Sequence, residues 1–365
     1  MARKTNRGQR TKPQAKAPAG DTEKAWIPAT DRRLTVQGLA WFRENRGTYS
    51  RLPLRAKGRV REAVWGLAQA PASARIAFRS DTTTLSVRVA NADTGVMYHM
   101  PGTGSNGLAL YCGEPYRMRA WVSAVPDQAQ ATFERELFKD LDPSMREFRL
   151  YLPLYKQMNA LDLAFSPGAR LLPPSPFALP KPVVFYGTSI TQGGCAATAG
   201  SDFISALGRM LNLDVVNLGF SGNGWGEPEL ADLVAEIDAS LFVLDYAGNA
   251  DEARLRRTLP VFVRILRAAH PRTPILIIGP LGYTSYGYHE PTRQSQEAKR
   301  DLMMSVYLRC RKQGDRNIHF ADGLSVLPFD LDGGHVDGCH PTTHGFLVMA
   351  ERLAPYVAQI LLPYG

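Results

Sequence analysis

Val183-Val-Phe-Tyr-Gly-Thr-Ser-Ile-Thr-Gln-Gly-Gly194 is the stretch on which the reading of this 365-residue chain turns. Val183–Tyr186 is a continuous apolar run, the pattern of a short strand buried on both faces of a parallel sheet. A Gly-Thr-Ser turn and a Gly-rich loop follow. In open α/β sheets, sites form in the loops that leave the carboxyl ends of the strands. Ser189 is therefore the first candidate functional residue.

Working outward toward the C-terminus, strand and helix patterns alternate. Phe203–Leu211 is predicted helical, Asp214–Leu218 a strand, Pro228–Ile237 a helix and Leu241–Asp245 a strand. Leu259, Phe262, Val263, Leu266 and Ala269 recur at helical spacing. Pro274–Ile278 reads as an apolar strand, Thr292–Lys312 as a long helix, Asn317–Phe320 as a last strand and Thr343–Leu361 as a last helix. This alternation predicts a parallel sheet covered on both faces, a three-layer α/β/α domain over residues 183–365.

Working outward toward the N-terminus, residues 171–182 hold five prolines in twelve positions, which predicts a stiff extended linker. Residues 26–170 are expected to be β-rich. Ile76 and Phe78 share a face of Arg75–Arg79, Ser80–Thr83 turns, and Leu85, Val87 and Val89 resume the alternation, so a hairpin with one buried face is predicted. Arg117–Val122 and Glu147–Leu152 alternate similarly. Short strands between polar turns suggest an all-β sandwich, jelly-roll-like in character.

Charge is concentrated at one end. Arg3, Lys4, Arg7, Arg10, Lys12 and Lys16 supply six of the positive charges behind the net +9, and residues 1–20 contain no acid. Residues 1–25 are expected to form a disordered basic tail. Without residues 1–20 the net charge is an ordinary +3, so no nucleic-acid partner is expected. No apolar run reaches the roughly 18–20 residues that span a bilayer, and no apolar segment follows the basic start. No membrane association and a cytoplasmic location are expected. Cys112, Cys195, Cys310 and Cys339 show no paired spacing, which fits reduced thiols.

The loops at the carboxyl edge assemble the requirements of acyl transfer. After the first strand comes Ser189. After the second comes Gly219-Phe-Ser-Gly222-Asn-Gly224, after the third Ala247-Gly-Asn249-Ala250, and before the last helix Asp337-Gly-Cys-His340-Pro341. A serine hydroxyl is a weak nucleophile that needs a base, and the base needs a carboxylate to hold its tautomer. Ser189, His340 and Asp337 fit those roles. The Ser189 and Gly222 N–H groups and the Asn249 amide could form an oxyanion hole. Asp332-Gly-Gly-His335 offers a second pair of the same spacing. His335, Asp337, Cys339, His340 and His344 also carry zinc-ligand chemistry, a rival reading that leaves Ser189 and Asn249 unexplained.

These four ordered motifs resemble those of the SGNH hydrolases, the GDSL-like esterases: Ser189, Gly222, Asn249 and the D-x-x-H-P at Asp337/His340. Gly107-Leu-Ala-Leu-Tyr111 resembles the G-x-D-L-Y motif of a β-rich domain that precedes the hydrolase in one branch, with Ala109 in place of Asp. Thr188 stands where many members have Asp. The resemblance implies a flavodoxin-like catalytic domain, an acyl-Ser189 intermediate, a small-molecule ester substrate with a short acyl group (an acetyl on a sugar or small metabolite), and no cofactor or metal. An acyltransferase, or a non-catalytic carbohydrate-binding protein, are the alternatives. Tyr283 at the edge of the fourth strand, His99 in the loop Val96–Gly104, and Tyr111 are candidate substrate-binding residues. Oligomeric state is not readable from the chain.

Overall fold

A computed structural model describes residues 24–91, 95–126 and 130–361. Of the basic tail expected over residues 1–25, all but Lys24 and Ala25 lie outside the described residues. Lys24 pairs with Glu134 and sits over the Trp26 ring.

The N-terminal half supplies ten strands: β1 Trp26–Pro28, β2 Thr35–Gln37, β3 Arg75–Ser80, β4 Leu85–Asn91, β5 Leu108–Cys112, β6 Arg119–Ala124, β7 Thr132–Phe138, β8 Arg146–Tyr151, β9 Met158–Phe165 and β10 Leu171–Leu172. They form two antiparallel sheets, β1-β9-β4-β7 and β10-β3-β8-β5-β6, with β2 added beside β3. Ile76, Phe78, Val87, Val89, Phe148 and Leu163 meet in one core between the sheets.

The expected hairpin of residues 75–89 is not formed. β3 pairs with β8 and β4 with β7 and β9, so the turn after Ser80 carries the chain from one sheet to the other. The alternation does mark one buried face on each strand. Both strands bury that face in the same core, and pattern alone cannot distinguish partners within a sheet from partners across it. The proline-rich segment opens with β10, paired to β3 at Leu171↔Ser80.

The C-terminal half contains one parallel sheet of β11 Val183–Gly187, β12 Val215–Gly219, β13 Leu241–Asp245, β14 Ile275–Ile278 and β15 Ile318–Ala321. The order β12-β11-β13-β14-β15 is the 2-1-3-4-5 doubly wound arrangement, counted within the sheet. Alternate residues of β11 serve opposite cores. Val184 and Tyr186 pack with Phe262 and Leu302 on one face, and Val183 and Phe185 with Phe203 and Phe346 on the other. The helices Pro228–Ala235, Glu252–Ala269 and Glu290–Lys312 thus cover one side. Phe203–Met210 and Thr343–Leu361 cover the other.

The register sets the level of the site. Gly187 of β11 lies opposite Gly219 of β12 and Asp245 of β13, so three strands release their loops at one height.

The halves are not packed separately. Trp41, Leu52, Ala56, Val64 and Ala68, all before β3, belong to the α/β core. Arg51, only 1% exposed, donates to the carbonyls of Ala70 (2.7 Å), Leu67 (2.8 Å), Asn217 (3.1 Å) and Gly219 (2.6 Å). One guanidinium therefore satisfies buried backbone oxygens of both halves.

Candidate active site

Ser189 opens the short helix Ser189–Gln192, directly after β11. The turn is closed by a reciprocal cap. Thr188 Oγ1 accepts from the Ile190 N–H at 3.3 Å, and Thr191 Oγ1 accepts from the Thr188 N–H at 3.0 Å. Thr191 in turn donates to Asp245 Oδ2 at 2.9 Å, tying the loop to the end of β13. A Cβ on Gly187 would collide with the Thr191 hydroxyl and the Asp245 carbonyl, so glycine is required there. Burial drives the Asp245 carboxyl up to about 6, against the Thr191 bond that lowers it.

His340 Nε2 lies 2.9 Å from Ser189 Oγ, and His340 Nδ1 lies 2.8 Å from Asp337 Oδ2. Asp337 Oδ1 also accepts the N–H of His340 at 2.8 Å and of Cys339 at 3.1 Å. Burial raises the Asp337 carboxyl, but these N–H groups and the ring outweigh it and hold the group at about 2. A carboxylate therefore faces Nδ1 at any ordinary pH. It keeps the imidazole proton on Nδ1 and leaves the Nε2 lone pair for the Ser189 hydroxyl.

The three expected oxyanion donors have no competing acceptor. Among the described residues, neither the Ser189 nor the Gly222 N–H, nor the Asn249 NH2, donates to a protein atom. Asn249, in the turn Ala247–Asn249, is oriented by its carbonyl end, which accepts the Gly224 N–H at 3.2 Å. That contact leaves its NH2 as the free end. Gly222 has φ +68, and nothing lies within 4 Å of where a Cβ would stand, so its backbone is open to approach.

Tyr283 is half-buried beside this group. Its hydroxyl would be 2.9 Å from a Cβ on Gly248, and burial, then the neighbouring Cys339, raise its pKa. It also lines a cavity of about 330 Å³ with His289, Gln296 and Lys299. His99 reaches the site from the N-terminal half, its ring 5.4 Å from that of His340. The segment Val96–Gly104 that carries His99 contacts the chain after Ser189: the Thr103 carbonyl accepts from the Ala199 N–H at 3.1 Å and the Thr103 hydroxyl donates to the Ala197 carbonyl.

Other candidates lie elsewhere. Tyr111 is buried with Tyr151, Met118 and Ala199, its ring under Arg209, and does not join the Ser189 group. Of the tyrosines that follow Tyr283, Tyr286 bonds Glu297 and Tyr288 is 93% exposed. His335 Nε2 is held by the Gly282 carbonyl at 2.8 Å, which takes the Asp332/His335 pair away from Ser189. The same contact splits the rival zinc set, because Asp337 is spent on His340. Among the described residues, the group with metal-ligand geometry is His99, Cys195 and His340.

Two contributors were not anticipated. Tyr155, between β8 and β9, donates to the Ser189 carbonyl at 3.3 Å. Gln192 accepts from the Ser221 N–H at 3.0 Å and donates to the Leu154 carbonyl at 3.1 Å. Gln192 links the loops that carry Ser189 and Gly222, and Tyr155 ties the first of them to the N-terminal half. In the sequence Gln192 is one residue of the Gly-rich loop after the first strand, and Tyr155 lies in the other half with no motif around it.

Residues 180–358 match the model of the GDSL-like lipase/acylhydrolase family. Residues 24–171 match GxDLY, the N-terminus of Esterase_SGNH_hydro-type proteins. Between them the two models account for nearly the whole chain, which belongs to the SGNH/GDSL hydrolases and is an enzyme of esterase type. Among solved structures it is similar to a GDSL-like lipase from Bacteroides ovatus, with a TM-score of 0.84 at 26% identity over 92% of this chain and 98% of that one. It shares its fold with the salicylyl-acyltransferase SsfX3 from a tetracycline biosynthetic pathway (TM-score 0.76, 20% identity, 93% and 99% covered). It also shares the fold of a family two carbohydrate esterase from Cellvibrio japonicus (TM-score 0.60, 14% identity, 93% and 98% covered). No curated protein matches the chain.

Proposed function

We propose that the protein hydrolyses a small-molecule carboxylic ester with a short acyl group through an acyl-Ser189 intermediate. The observation that carries this reading is the continuous line Ser189–His340–Asp337, with contacts of 2.9 and 2.8 Å. In the first half-reaction Ser189 Oγ attacks the ester carbon while His340 Nε2 takes its proton. The Ser189 and Gly222 N–H groups and the Asn249 NH2 receive the oxyanion. Collapse expels the alcohol, which takes the proton from His340. Water, deprotonated by the same nitrogen, then releases the acid and restores Ser189.

An acyl group on a sugar or similarly hydroxylated metabolite suits the cavity at Tyr283, whose lining includes His289, Gln296 and Lys299. The carbohydrate-esterase fold neighbour supports the same class. A second reading is transfer of the acyl group to an alcohol other than water. It is favoured by the shielding of Ser189, 7% exposed under the His99 loop, and by the acyltransferase neighbour. The jelly-roll character of the N-terminal sheets and a cytoplasmic location belong to this proposal, the latter supported by four free thiols.

Ser189→Ala is expected to abolish hydrolysis of short-chain aryl esters with an unchanged unfolding curve. Residual turnover near the wild-type rate would end the assignment. Product analysis with added alcohols separates transfer from hydrolysis.

A further inference from the structure

The N-terminal half brings one side chain with metal-binding chemistry to the Ser189 group, and a cysteine stands next to it. His99, Cys195 and His340 each present a donor atom, and the three donors lie within 4.8 Å of one another. Nothing in the ester chemistry above uses Cys195, which is 3% exposed. Nor does anything bond the buried Nδ1 of His99, which has no partner in the protein. Tyr98 stacks on the outer face of His99, with ring centroids 4.3 Å apart, and so holds the ring toward His340.

We propose that His99, Cys195 and His340 form a binding site for a zinc-like divalent ion, and that its occupancy switches the esterase off. Two imidazoles and a thiolate are a donor set that selects zinc over magnesium or calcium. Zinc bonds of about 2.1 Å to nitrogen and 2.3 Å to sulfur place donors roughly 3.5 Å apart, so the group closes by about 1 Å on binding. Asp337 keeps the proton on His340 Nδ1, so the lone pair offered to the metal is that of Nε2. It is the same lone pair that accepts the Ser189 proton, and an ion bound there removes the base. The Cys195 thiol releases its proton to solvent as it ligates, and the fourth position stays open to water.

The switching part rests on the esterase reading; the site itself does not. The full chain is therefore tested in two ways. Titrating zinc chloride into the aryl-ester assay is expected to inhibit at micromolar ion, with recovery on adding chelator. The inhibition constant, normalised to each variant's own zinc-free rate, is expected to weaken by more than about 100-fold in Cys195→Ser and in His99→Phe, beyond the loss typical of an outer-shell partner. Separately, cobalt(II) added to Ser189→Ala protein is expected to give a thiolate-to-metal charge-transfer band that Cys195→Ser abolishes. No cobalt band, or zinc inhibition that survives both substitutions, overturns the site. A cobalt band from a wild-type protein with no esterase activity would uphold the site and defeat the function proposed above.

Discussion

The α/β half and the β-rich half reach the same site by different routes. The first delivers Ser189, Gly222 and Asn249 from strands that end at one level of one sheet. The second delivers Tyr155 and His99 from loops between strands of a sandwich, and Arg51 from an irregular segment packed into the α/β core. The difference teaches a division of labour. Residues at strand ends gather round Ser189, whereas Arg51 and Tyr155 of the second half tie those strand ends in place.

That division gives unequal expectations for stability and turnover. The largest effect is expected at Arg51. Replacing it with Met leaves four backbone carbonyls of both halves without their donor, and unfolding in urea is expected to cost about 4 kcal/mol less. A wild-type midpoint would break the comparison. Asn249→Ala is expected to do the reverse, lowering kcat by about 10²–10³ at an unchanged midpoint. A fall in stability of the same size would show that Asn249 holds the fold and not the oxyanion.

Asp245 sharpens the comparison from within the α/β half. Its pKa of about 6 lies above the roughly 3.9 of an unfolded carboxyl, so the folded state binds the extra proton. This contribution is fully present below about pH 4 and is lost as pH rises through 6. The loss is up to about 3 kcal/mol. Asp245→Asn is expected to flatten that part of the stability profile measured from pH 4 to 8, and an unchanged profile would contradict it. The smallest effect is expected at Tyr155, which joins the halves through one neutral hydrogen bond to the Ser189 carbonyl. Tyr155→Phe is expected to lower kcat by less than about tenfold, in line with roughly 1 kcal/mol for such a bond.

What the sequence made legible follows the same line. Apolar runs such as Leu241–Asp245 reveal parallel strands because both faces are buried, and the residue that follows each strand falls at the site by topology alone. Ser189 and Asn249 could be found this way, and Asp337 and His340 by the D-x-x-H-P that precedes the last helix. Strand partners in the sandwich could not, as β3 and β4 show, because alternation reports a buried face and not a neighbour. Tyr155 and Arg51 act across 34 and 168 residues of chain, on Ser189 and Gly219. No local pattern encodes such reach. Tyr111 was misplaced for a related reason: its motif marks a seam between the halves, not the pocket.

The shared level of Gly187, Gly219 and Asp245 has a practical meaning for anyone who would rebuild this scaffold. The three strand ends act as a common datum, and an extra residue in any one strand shifts its loop by about 3.3 Å and turns its side chains to the opposite face. Length in this molecule can be added beyond the datum, in the loops, where a new substrate would be accommodated. Within the strands the chain has no slack to give.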